Sequence, residues 1–267
     1  FDEQATRHVK VAEMVLESRG VSRNMLLVEP NKELQFPDLD SVINDIRAWR
    51  PVQYIIGTAE FAGMDFEVSD AVLIPRPETE ELVDWIASEV GDSASILDVG
   101  TGSGCIAIAL SRAVNGSSVW ALDISAEALA VARRNGAKYA PDVRFVEGDA
   151  LSDFSALFAE KFDVVVSNPP YIPDSDSRLM RRNVTDYEPH TALFVPDNDP
   201  LLFYRSIART ALKMLKAEGK LYFEIYESLA DEMQRMLRAE GYEEIVVRED
   251  FRGKPRMICA KVSSTMR

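Results

Sequence analysis

From residue 95 to residue 261 the chain alternates short apolar runs with longer amphipathic stretches, and this alternation restricts its fold more than any other feature. The apolar runs are rich in β-branched and aromatic residues, as buried strands are. They are Ser95–Val99, Ser118–Leu122, Val143–Val146, Phe162–Ser167, Lys220–Ile225, Glu244–Arg248 and Met257–Lys261. Strands joined by helical crossovers form a parallel sheet with helices on its faces. We therefore predict an α/β fold with a seven-stranded, mostly parallel sheet.

The last two predicted strands differ from the others in their connection. The segment 249–255 between them is too short for a helical crossover, so the final strand should run antiparallel to its neighbour. An amphipathic stretch, Glu78–Val90, precedes the first strand and predicts the first helix of this α/β domain, to which we assign residues 75–267.

The region before residue 75 has a different pattern. Apolar residues recur at helical spacing in Ala5–Ser18 and Leu39–Trp49, with a break at Glu29-Pro30-Asn31, so residues 1–50 should form a small helical domain. Residues 51–74 contain short β-type runs, and we predict a β-hairpin linker there.

The composition excludes several classes of protein. A net charge of −14 argues against a stable nucleic-acid partner, because neutralising phosphates requires a surplus of Lys and Arg. No apolar run is long enough to span a bilayer and the first residues do not resemble a signal peptide, so we expect no membrane association and a cytoplasmic location. Cys105 and Cys259 form no disulfide framework, and His8 and His190 have no cluster of ligands around them, so we assign no metal.

A glycine-rich loop follows the first strand of the α/β domain. In Asp98-Val-Gly-Thr-Gly-Ser-Gly the glycines are spaced G-x-G-x-G, whereas a dinucleotide fingerprint has G-x-G-x-x-G. A carboxylate at Asp98 would repel a pyrophosphate but attract the ammonium of a methionine moiety, directly or through water. The loop therefore favours S-adenosylmethionine over NAD. Its predicted contacts are Asp98, Gly100, Thr101, Gly102 and Gly104.

Two further acids stand at the ends of the next two predicted strands. Asp123 is placed where an acid commonly binds ribose hydroxyls, although it could instead cap the helix predicted at 125–135. Asp149 could meet the adenine amino group or could be a solvated loop acid. We include the neighbouring Ile124 and Ala150 in the predicted cofactor site.

The strand Phe162–Ser167 stops at Asn168-Pro169-Pro170-Tyr171, here called the clamp. The prolines donate no backbone hydrogen bond, so the strand end is rigid and its carbonyls are unpaired. The Asn168 side-chain carbonyl and the Pro169 carbonyl can accept both hydrogens of a planar NH₂ group, and Tyr171 can stack on its plane. An amide nitrogen is a poor nucleophile, so positioning it in line at roughly 3 to 3.5 Å from a methyl group is the main catalytic device. The alternative is a strand end without chemical function.

The loop and the clamp together resemble the amino-methyltransferases, which include adenine-N6 DNA enzymes and protein glutamine enzymes. Three more segments resemble the HemK/PrmC family, which methylates the glutamine of the Gly-Gly-Gln motif in peptide chain release factors. They are Pro51-Val-Gln-Tyr-Ile-Ile-Gly, Leu73-Ile-Pro-Arg-Pro-Glu-Thr-Glu-Glu-Leu-Val and Val184-Thr-Asp-Tyr-Glu-Pro-His-Thr-Ala-Leu-Phe. The match spans nearly the whole chain.

The resemblance implies a class I, Rossmann-like methyltransferase that converts S-adenosylmethionine to S-adenosylhomocysteine. It implies that the helical domain recognises a release factor, and we expect a monomer. It places Arg76, Pro77, Glu78 and Thr79 at the mouth of the site, with Arg76 and Thr79 near the cofactor. Glu188 and Pro189 follow the clamp and are implied substrate contacts. Where the family usually has Glu-hydrophobic-Gly, this chain has Glu224-Ile225-Tyr226. The resemblance therefore does not determine the shape of the pocket wall at Tyr226.

Two other functions stay open at this point. An adenine-N6 DNA methyltransferase would present the same flat NH₂ group to the clamp, but it must flip a base and grip phosphates. The net charge weighs against it, and the best local basic cluster is Arg178, Arg181 and Arg182. The other alternative, a cofactor-binding protein without activity, is disfavoured by the intact clamp.

Overall fold

The computed structural model describes residues 3–22, 25 and 37–263. The predicted break at Glu29-Pro30-Asn31 lies outside these residues. Two of the helices described near the start are α1 (Glu3–Ser18) and α2 (Leu39–Arg47). Helix α2 ends before the predicted Trp49, whose backbone has a φ of 68° and so cannot continue a right-handed helix.

The predicted hairpin linker begins with a helix. Residues Val52–Ile56 form α3, which follows Pro51 and ends at Gly57 in the left-handed conformation with a φ of 88°. Glycine adopts this conformation without a Cβ penalty, so it stops the helix. The apolar residues of α3 pack on α1 and α2. The prediction of extended structure was therefore wrong here, because packing on neighbouring helices outweighed the β propensity of the run.

The hairpin itself follows α3. Strands β1 (Thr58–Phe61) and β2 (Met64–Glu67) pair antiparallel around the turn Ala62-Gly63. Fully buried Asn135 holds this hairpin, since its side chain accepts from the Glu67 N–H at 2.7 Å and donates to the Glu67 carbonyl at 3.0 Å. The same side chain donates to the Ser103 carbonyl at 2.9 Å, so it ties the hairpin to the glycine loop.

The α/β domain has the predicted seven-stranded sheet. Its strands are β3 (Ser95–Val99), β4 (Ser118–Asp123), β5 (Arg144–Glu147), β6 (Phe162–Ser167), β9 (Leu215–Glu224), β10 (Tyr242–Glu249) and β11 (Pro255–Val262). The order across the sheet is β10-β11-β9-β6-β3-β4-β5. The last strand in sequence, β11, runs antiparallel to both of its neighbours, and the strands from β9 to β5 are parallel. The α/β prediction with an antiparallel last strand is confirmed.

Helices cover both faces of the sheet. The longer ones are α4 (Pro77–Glu89), α5 (Cys105–Ala113), α6 (Ala126–Tyr139), α9 (Leu202–Met214) and α10 (Ala230–Glu240). The excursion after the clamp contains a two-residue parallel pair, β7 (Ile172–Pro173) with β8 (Phe194–Val195), and the short helices α7 (Arg182–Thr185) and α8 (His190–Leu193). Short 3₁₀ turns lie at Phe154–Leu157, Asp174–Leu179 and Glu227–Leu229. None of the described helices has the length and apolar character needed to cross a membrane.

Alternate residues of the strands enter two separate hydrophobic cores, one on each face of the sheet. Ile96 and Val164 contribute to the core beneath α4 and α5, and Leu97 and Val165 contribute to the core beneath α9 and α10. Strands buried on both faces read as continuous apolar runs, which explains why the sequence pattern found them.

Glu89, the last residue of α4, joins that helix to the sheet. Its carboxylate accepts hydrogen bonds from Trp85 Nε1 at 2.6 Å, Lys220 Nζ at 2.8 Å and the Tyr222 hydroxyl at 2.9 Å. Partial burial alone would raise the pKa of Glu89, but the hydrogen bonds from Lys220, Trp85 and Tyr222 outweigh it and lower the pKa to about 2.

We expect Glu89→Gln to lower the free energy of unfolding at neutral pH by about 1 to 3 kcal/mol, the scale of hydrogen bonds to a charged group. The folded pKa lies below the unfolded value of about 4.3. This contribution is therefore complete above the unfolded pKa and is lost as the pH falls towards the folded value. Urea unfolding at about pH 7 and about pH 3 measures it, with Glu60→Gln on an exposed part of β1 as the control. An equal loss at both pH values would contradict the assignment.

Candidate active site

A cavity opens where the strand order of the sheet reverses. From β3 the chain proceeds to β4 and β5 on one side, and it then crosses to β6 on the other side. Loops diverge at such a point, and ligands of open α/β sheets bind in the resulting crevice. The cavity here has a volume of about 420 Å³, within the range of small-molecule sites. It is called the larger cavity below.

The glycine loop after β3 forms the floor of the larger cavity. Gly100 and Thr101 both donate their N–H groups to the Leu122 carbonyl, at 2.8 and 3.0 Å, which holds the loop against β4. Gly100 and Gly102 have positive φ values of 76° and 55°, and both line the cavity with Thr101.

Gly104 has a different position from the one predicted. It does not line the cavity, and a Cβ there would lie 3.1 Å from Ile108 Cδ1 and 3.3 Å from Ala132 Cβ. Its φ of 84° would also strain any other residue. Gly104 therefore lets α5 begin tightly against α6, which is a packing requirement.

Asp98 was predicted to act on the ammonium directly or through water, and the structure places it outside the lining of the cavity. It is fully buried beneath the loop, outside the lining of the cavity, where its Oδ2 accepts from the Thr101 hydroxyl at 2.6 Å. Its Oδ1 has no hydrogen-bond partner, and burial raises the pKa of this carboxyl to about 7. The hydrogen bond from Thr101 connects Asp98 to the wall of the cavity.

Ser103 is a lining residue that sequence reasoning missed. Its Oγ is buried without a hydrogen-bond partner, although the residue lines the larger cavity. A buried hydroxyl without a partner costs free energy, so its presence in a cavity wall indicates a polar ligand group. Its place between two glycines of the loop was the available signal.

Asp123 lies at the end of β4 in the wall of the larger cavity. Its Oδ2 accepts from the Gly102 N–H at 2.8 Å and its Oδ1 from the Ser125 N–H at 2.9 Å. Burial raises the pKa of Asp123, and these backbone hydrogen bonds lower it again in part. The alternative that Asp123 caps the next helix is wrong, because the Ser125 side chain accepts from the Ala128 N–H at 3.1 Å and caps it instead.

Apolar side chains, called the apolar slot below, line the larger cavity together with Asp123 and Asp149. Ile124 is 62% exposed and Leu151 is 43% exposed, yet both are large apolar residues of the cavity wall. Phe203 from α9 lines it as well, and no motif had indicated that residue. Asp149 lines the cavity with its Oδ1 accepting from the Leu151 N–H at 2.8 Å, and Ala150 follows it in the wall. Apolar walls and two carboxylates in one cavity suit a nucleoside.

A smaller cavity of about 170 Å³ adjoins the larger one at the clamp, and Asn168 lines both. Pro169 and Pro170 line the larger cavity, whereas Tyr171 lines the smaller one with Met180 and Val184. Asn168 Nδ2 donates to Thr79 Oγ1 at 3.3 Å, and Thr79 Oγ1 donates to Glu224 Oε2 at 2.6 Å.

Tyr171 has partners within the protein. Its hydroxyl donates to Glu224 Oε1 at 3.1 Å, and its ring stacks on Tyr226 with centroids 5.8 Å apart and planes at 19°. The Tyr226 hydroxyl in turn donates to Asp176 Oδ2 at 2.9 Å. Tyr226, the departure from the family pattern, thus covers one face of Tyr171 and ties it to the segment after the clamp.

Glu188 is not an open substrate contact. Its side chain is 1% exposed, and its two oxygens accept from Arg76 at 2.6 Å and from the Ile74 N–H at 3.2 Å. It therefore anchors Arg76, which lines both cavities. Pro189 lines the larger cavity and not the smaller one.

Comparison with known proteins decides the family. A relative from Bacteroides thetaiotaomicron named release factor glutamine methyltransferase is 45% identical over 223 residues, or 84% of this chain and 80% of that protein. One of the same name from Flavobacterium psychrophilum is 41% identical over 241 residues, 87% of this chain and 84% of that protein. The chain belongs to the release factor glutamine methyltransferase family.

Two broader similarities agree with this family. A family model described as Methyltransferase small domain matches residues 78–185. The crystal structure of a methyltransferase from Pyrococcus furiosus matches with a TM-score of 0.55 at 18% identity, over 85% of this chain and 100% of that chain, and supports the fold alone. The class I, Rossmann-like fold is confirmed, and the chain is an S-adenosylmethionine-dependent methyltransferase of the protein-glutamine class.

The larger cavity fits the cofactor of this class. Two buried polar atoms lack hydrogen-bond partners: Asp98 Oδ1 beneath the glycine loop and Ser103 Oγ within it. A charged amino-acid moiety would bind at this loop. The apolar slot at Ile124 suits a purine. Burial raises the pKa of both Asp98 and Asp123. A cation bound nearby would stabilise the ionised form of these carboxylates.

We expect Asp123→Ala to weaken binding of S-adenosylhomocysteine by about 1 to 3 kcal/mol, the scale of losing hydrogen bonds to a charged group. The substitution also releases the Gly102 N–H that orders the loop. Titration calorimetry measures the affinity, and Asp142→Ala, at an exposed position outside the cavity, is the control. Unchanged affinity in a folded Asp123→Ala variant would exclude a ribose contact.

Proposed function

We propose that this enzyme transfers a methyl group from S-adenosylmethionine to the side-chain amide nitrogen of the glutamine in the Gly-Gly-Gln motif of peptide chain release factors. The observation that carries the proposal is the position of Asn168, which is shared by the walls of both cavities. A donor in the larger cavity and an amide in the smaller one would therefore meet at the clamp. The relatives' names supply the release factor as the partner.

In this proposal the cofactor lies along the larger cavity. Gly100, Thr101, Gly102 and Ser103 would hold the methionine moiety, Asp123 the ribose, and Asp149 with Ile124 and Ala150 the adenine, with Arg76 and Thr79 near the mouth. When bound, S-adenosylmethionine supplies an electrophilic methyl group on a positively charged sulfur. The raised pKa values of Asp98 and Asp123 support a site that receives a cation.

The clamp would hold and orient the substrate amide. The Asn168 carbonyl and the Pro169 carbonyl accept the two N–H bonds, and Pro170 stiffens the strand end so that these acceptors keep their geometry. Orienting the weak nucleophile accelerates the reaction more than a general base would, because the proton leaves readily once the nitrogen is alkylated. Tyr171 contributes to the wall of the smaller cavity, and Tyr226 covers one face of its ring.

We assign recognition of the release factor to the helical region before residue 51. Its exposed apolar residues Val9, Met14 and Leu39 support this assignment. The region is also tied to the site, because the Tyr187 hydroxyl donates to the Ala48 carbonyl at 2.6 Å, next to Glu188 and Pro189. Pro189 lines the larger cavity, so a partner bound to the helices would lie near the reacting groups. We also propose that the enzyme is a monomer located in the cytoplasm.

We expect Asn168→Ala to lower kcat by about 10²-fold or more while cofactor affinity changes little, because the lost acceptor acts on the nucleophile. Transfer from radiolabelled cofactor to purified release factor measures kcat, and calorimetry measures affinity. Asn198→Ala, at an exposed position outside both cavities, is the matched control. A near-normal kcat for Asn168→Ala would refute the clamp.

Substrate choice gives a second test, which also addresses the adenine-N6 DNA alternative. Because the clamp contacts only an NH₂ group, we expect a short Gly-Gly-Gln peptide to have a much lower kcat/KM than intact release factor, since it lacks the remote contacts that supply orientation. Duplex DNA should accept no label, as the charge of −14 disfavours phosphate binding. Mass spectrometry locates the methyl group. Labelled adenine, or a peptide as good as the intact protein, would overturn this assignment.

A further inference from the structure

The clamp depends on which end of the Asn168 amide faces the substrate. A carboxamide has an acceptor oxygen and a donor NH₂ of almost the same shape, so rotation by half a turn exchanges them. Only the orientation with the oxygen towards the smaller cavity can accept a substrate N–H. The reversed orientation would present NH₂ to NH₂, which is repulsive. Some contact must therefore distinguish the two ends.

That contact is Thr79, in the first turn of α4. Its side chain is 2% exposed and lies between Asn168 Nδ2, at 3.3 Å, and Glu224 Oε2, at 2.6 Å. Glu224 is also 2% exposed and stands at the end of β9. Because Ser167 pairs with Phe223 in the sheet, the next residues along these parallel strands, Asn168 and Glu224, are neighbours at the same edge of the sheet.

The chain of hydrogen bonds has the direction that an ionised Glu224 would impose. An ionised carboxylate only accepts, and Glu224 receives the hydroxyls of Thr79 and Tyr171, one on each oxygen. The Thr79 hydroxyl has a single hydrogen, which it gives to Glu224. It therefore offers Asn168 only a lone pair. Asn168 must therefore donate from its NH₂ group, and its carbonyl oxygen is then directed away from Thr79.

Burial of Glu224 has a cost that supports a role beyond packing. Burial raises its pKa, and the hydroxyls of Thr79 and Tyr171, with the positive charge of Arg256, oppose that rise. A buried carboxylate is tolerated when such partners compensate it. In the wall of the smaller cavity, an apolar residue of similar size would avoid the cost, but it would not orient Thr79.

We propose that Thr79 and Glu224 are positioning residues, which orient the Asn168 amide so that its carbonyl oxygen faces the substrate nitrogen. This inference rests on the proposed function of the clamp. Thr79 acts through Asn168 and is distinct from the residues that hold the amide. Thr79 had been predicted near the cofactor, and it does line the larger cavity, so the test must separate orientation from cofactor binding.

The test compares Thr79→Val, which keeps the shape and removes the hydroxyl, with Thr79→Ser, which keeps the hydroxyl. We expect Thr79→Val to lower kcat on release factor by about 10- to 100-fold, the effect of a misplaced reacting group, with little change in KM. Thr79→Ser should restore most of the rate. Thr210→Val is the matched control, because Thr210 is 5% exposed and lies in α9 outside both cavities. A normal kcat for Thr79→Val, or a loss confined to cofactor affinity, would overturn the inference.

A double-mutant cycle with Asn168→Ala then separates this inference from the proposed function. If Thr79 acts through the Asn168 amide, Thr79→Val should cause no further loss of kcat in the Asn168→Ala background. The same fold loss in both backgrounds would overturn the positioning role while leaving the clamp intact. A normal rate for Asn168→Ala alone would instead overturn the clamp, and this inference with it.

Glu224→Gln provides a second route should Thr79→Val fail to fold. Its carboxamide can both donate and accept, so the direction of the hydrogen-bond chain is no longer imposed. We expect a fall in kcat that is also absent in the Asn168→Ala background, with folding followed by circular dichroism. A Glu224→Gln enzyme with a normal kcat would contradict the role of the charge.

Discussion

Strand β3 pairs with β4 on one side and with β6 on the other, and the position of every functional group follows from this arrangement. The chain leaves β3 through the glycine loop and leaves β6 through the clamp, and both turns occur at the same edge of the sheet. Parallel strands must end together at that edge, so residues that are far apart in sequence become neighbours. The larger cavity is the gap between these two exits. Without the reversal of strand order, helices would fill it.

The site contains several acids for which burial is costly. Burial raises the pKa values of Asp98, Asp123 and Glu224, and each is held by hydroxyl or backbone donors. Asp98 and Asp123 adjoin the larger cavity, where a cationic cofactor would stabilise their charge. Glu224 lies beside the smaller cavity and is stabilised by Thr79 and Tyr171. In the proposed mechanism, different carboxylates would support binding of the cofactor and orientation of the amide.

The loop after the clamp links three parts of the molecule. Tyr187 contacts the helical region through the Ala48 carbonyl, Glu188 holds Arg76, and Pro189 lines the larger cavity. Sequence resemblance had suggested Glu188 as a substrate contact, and the structure gives it an anchoring role instead. A change in the helical region therefore has a short path of direct contacts to the mouth of both cavities.

Sequence patterns predicted the class of fold, which the structure confirms, and the places in the chain of the glycine loop, the acid at the end of β4 and the clamp. These features depend on local patterns such as strand periodicity and the backbone restrictions of glycine and proline. The sequence indicated Glu224 only as part of a motif, and it did not indicate Ser103 or Phe203. Tertiary structure alone decided that Gly104 serves helix packing, that Asp98 lies beneath the loop, and that Tyr171 stacks on Tyr226. The direction and the partners of a side chain depend on which elements pack together. Thr79 and Glu224 are separated by 145 positions in the chain and come into contact only when the sheet is assembled.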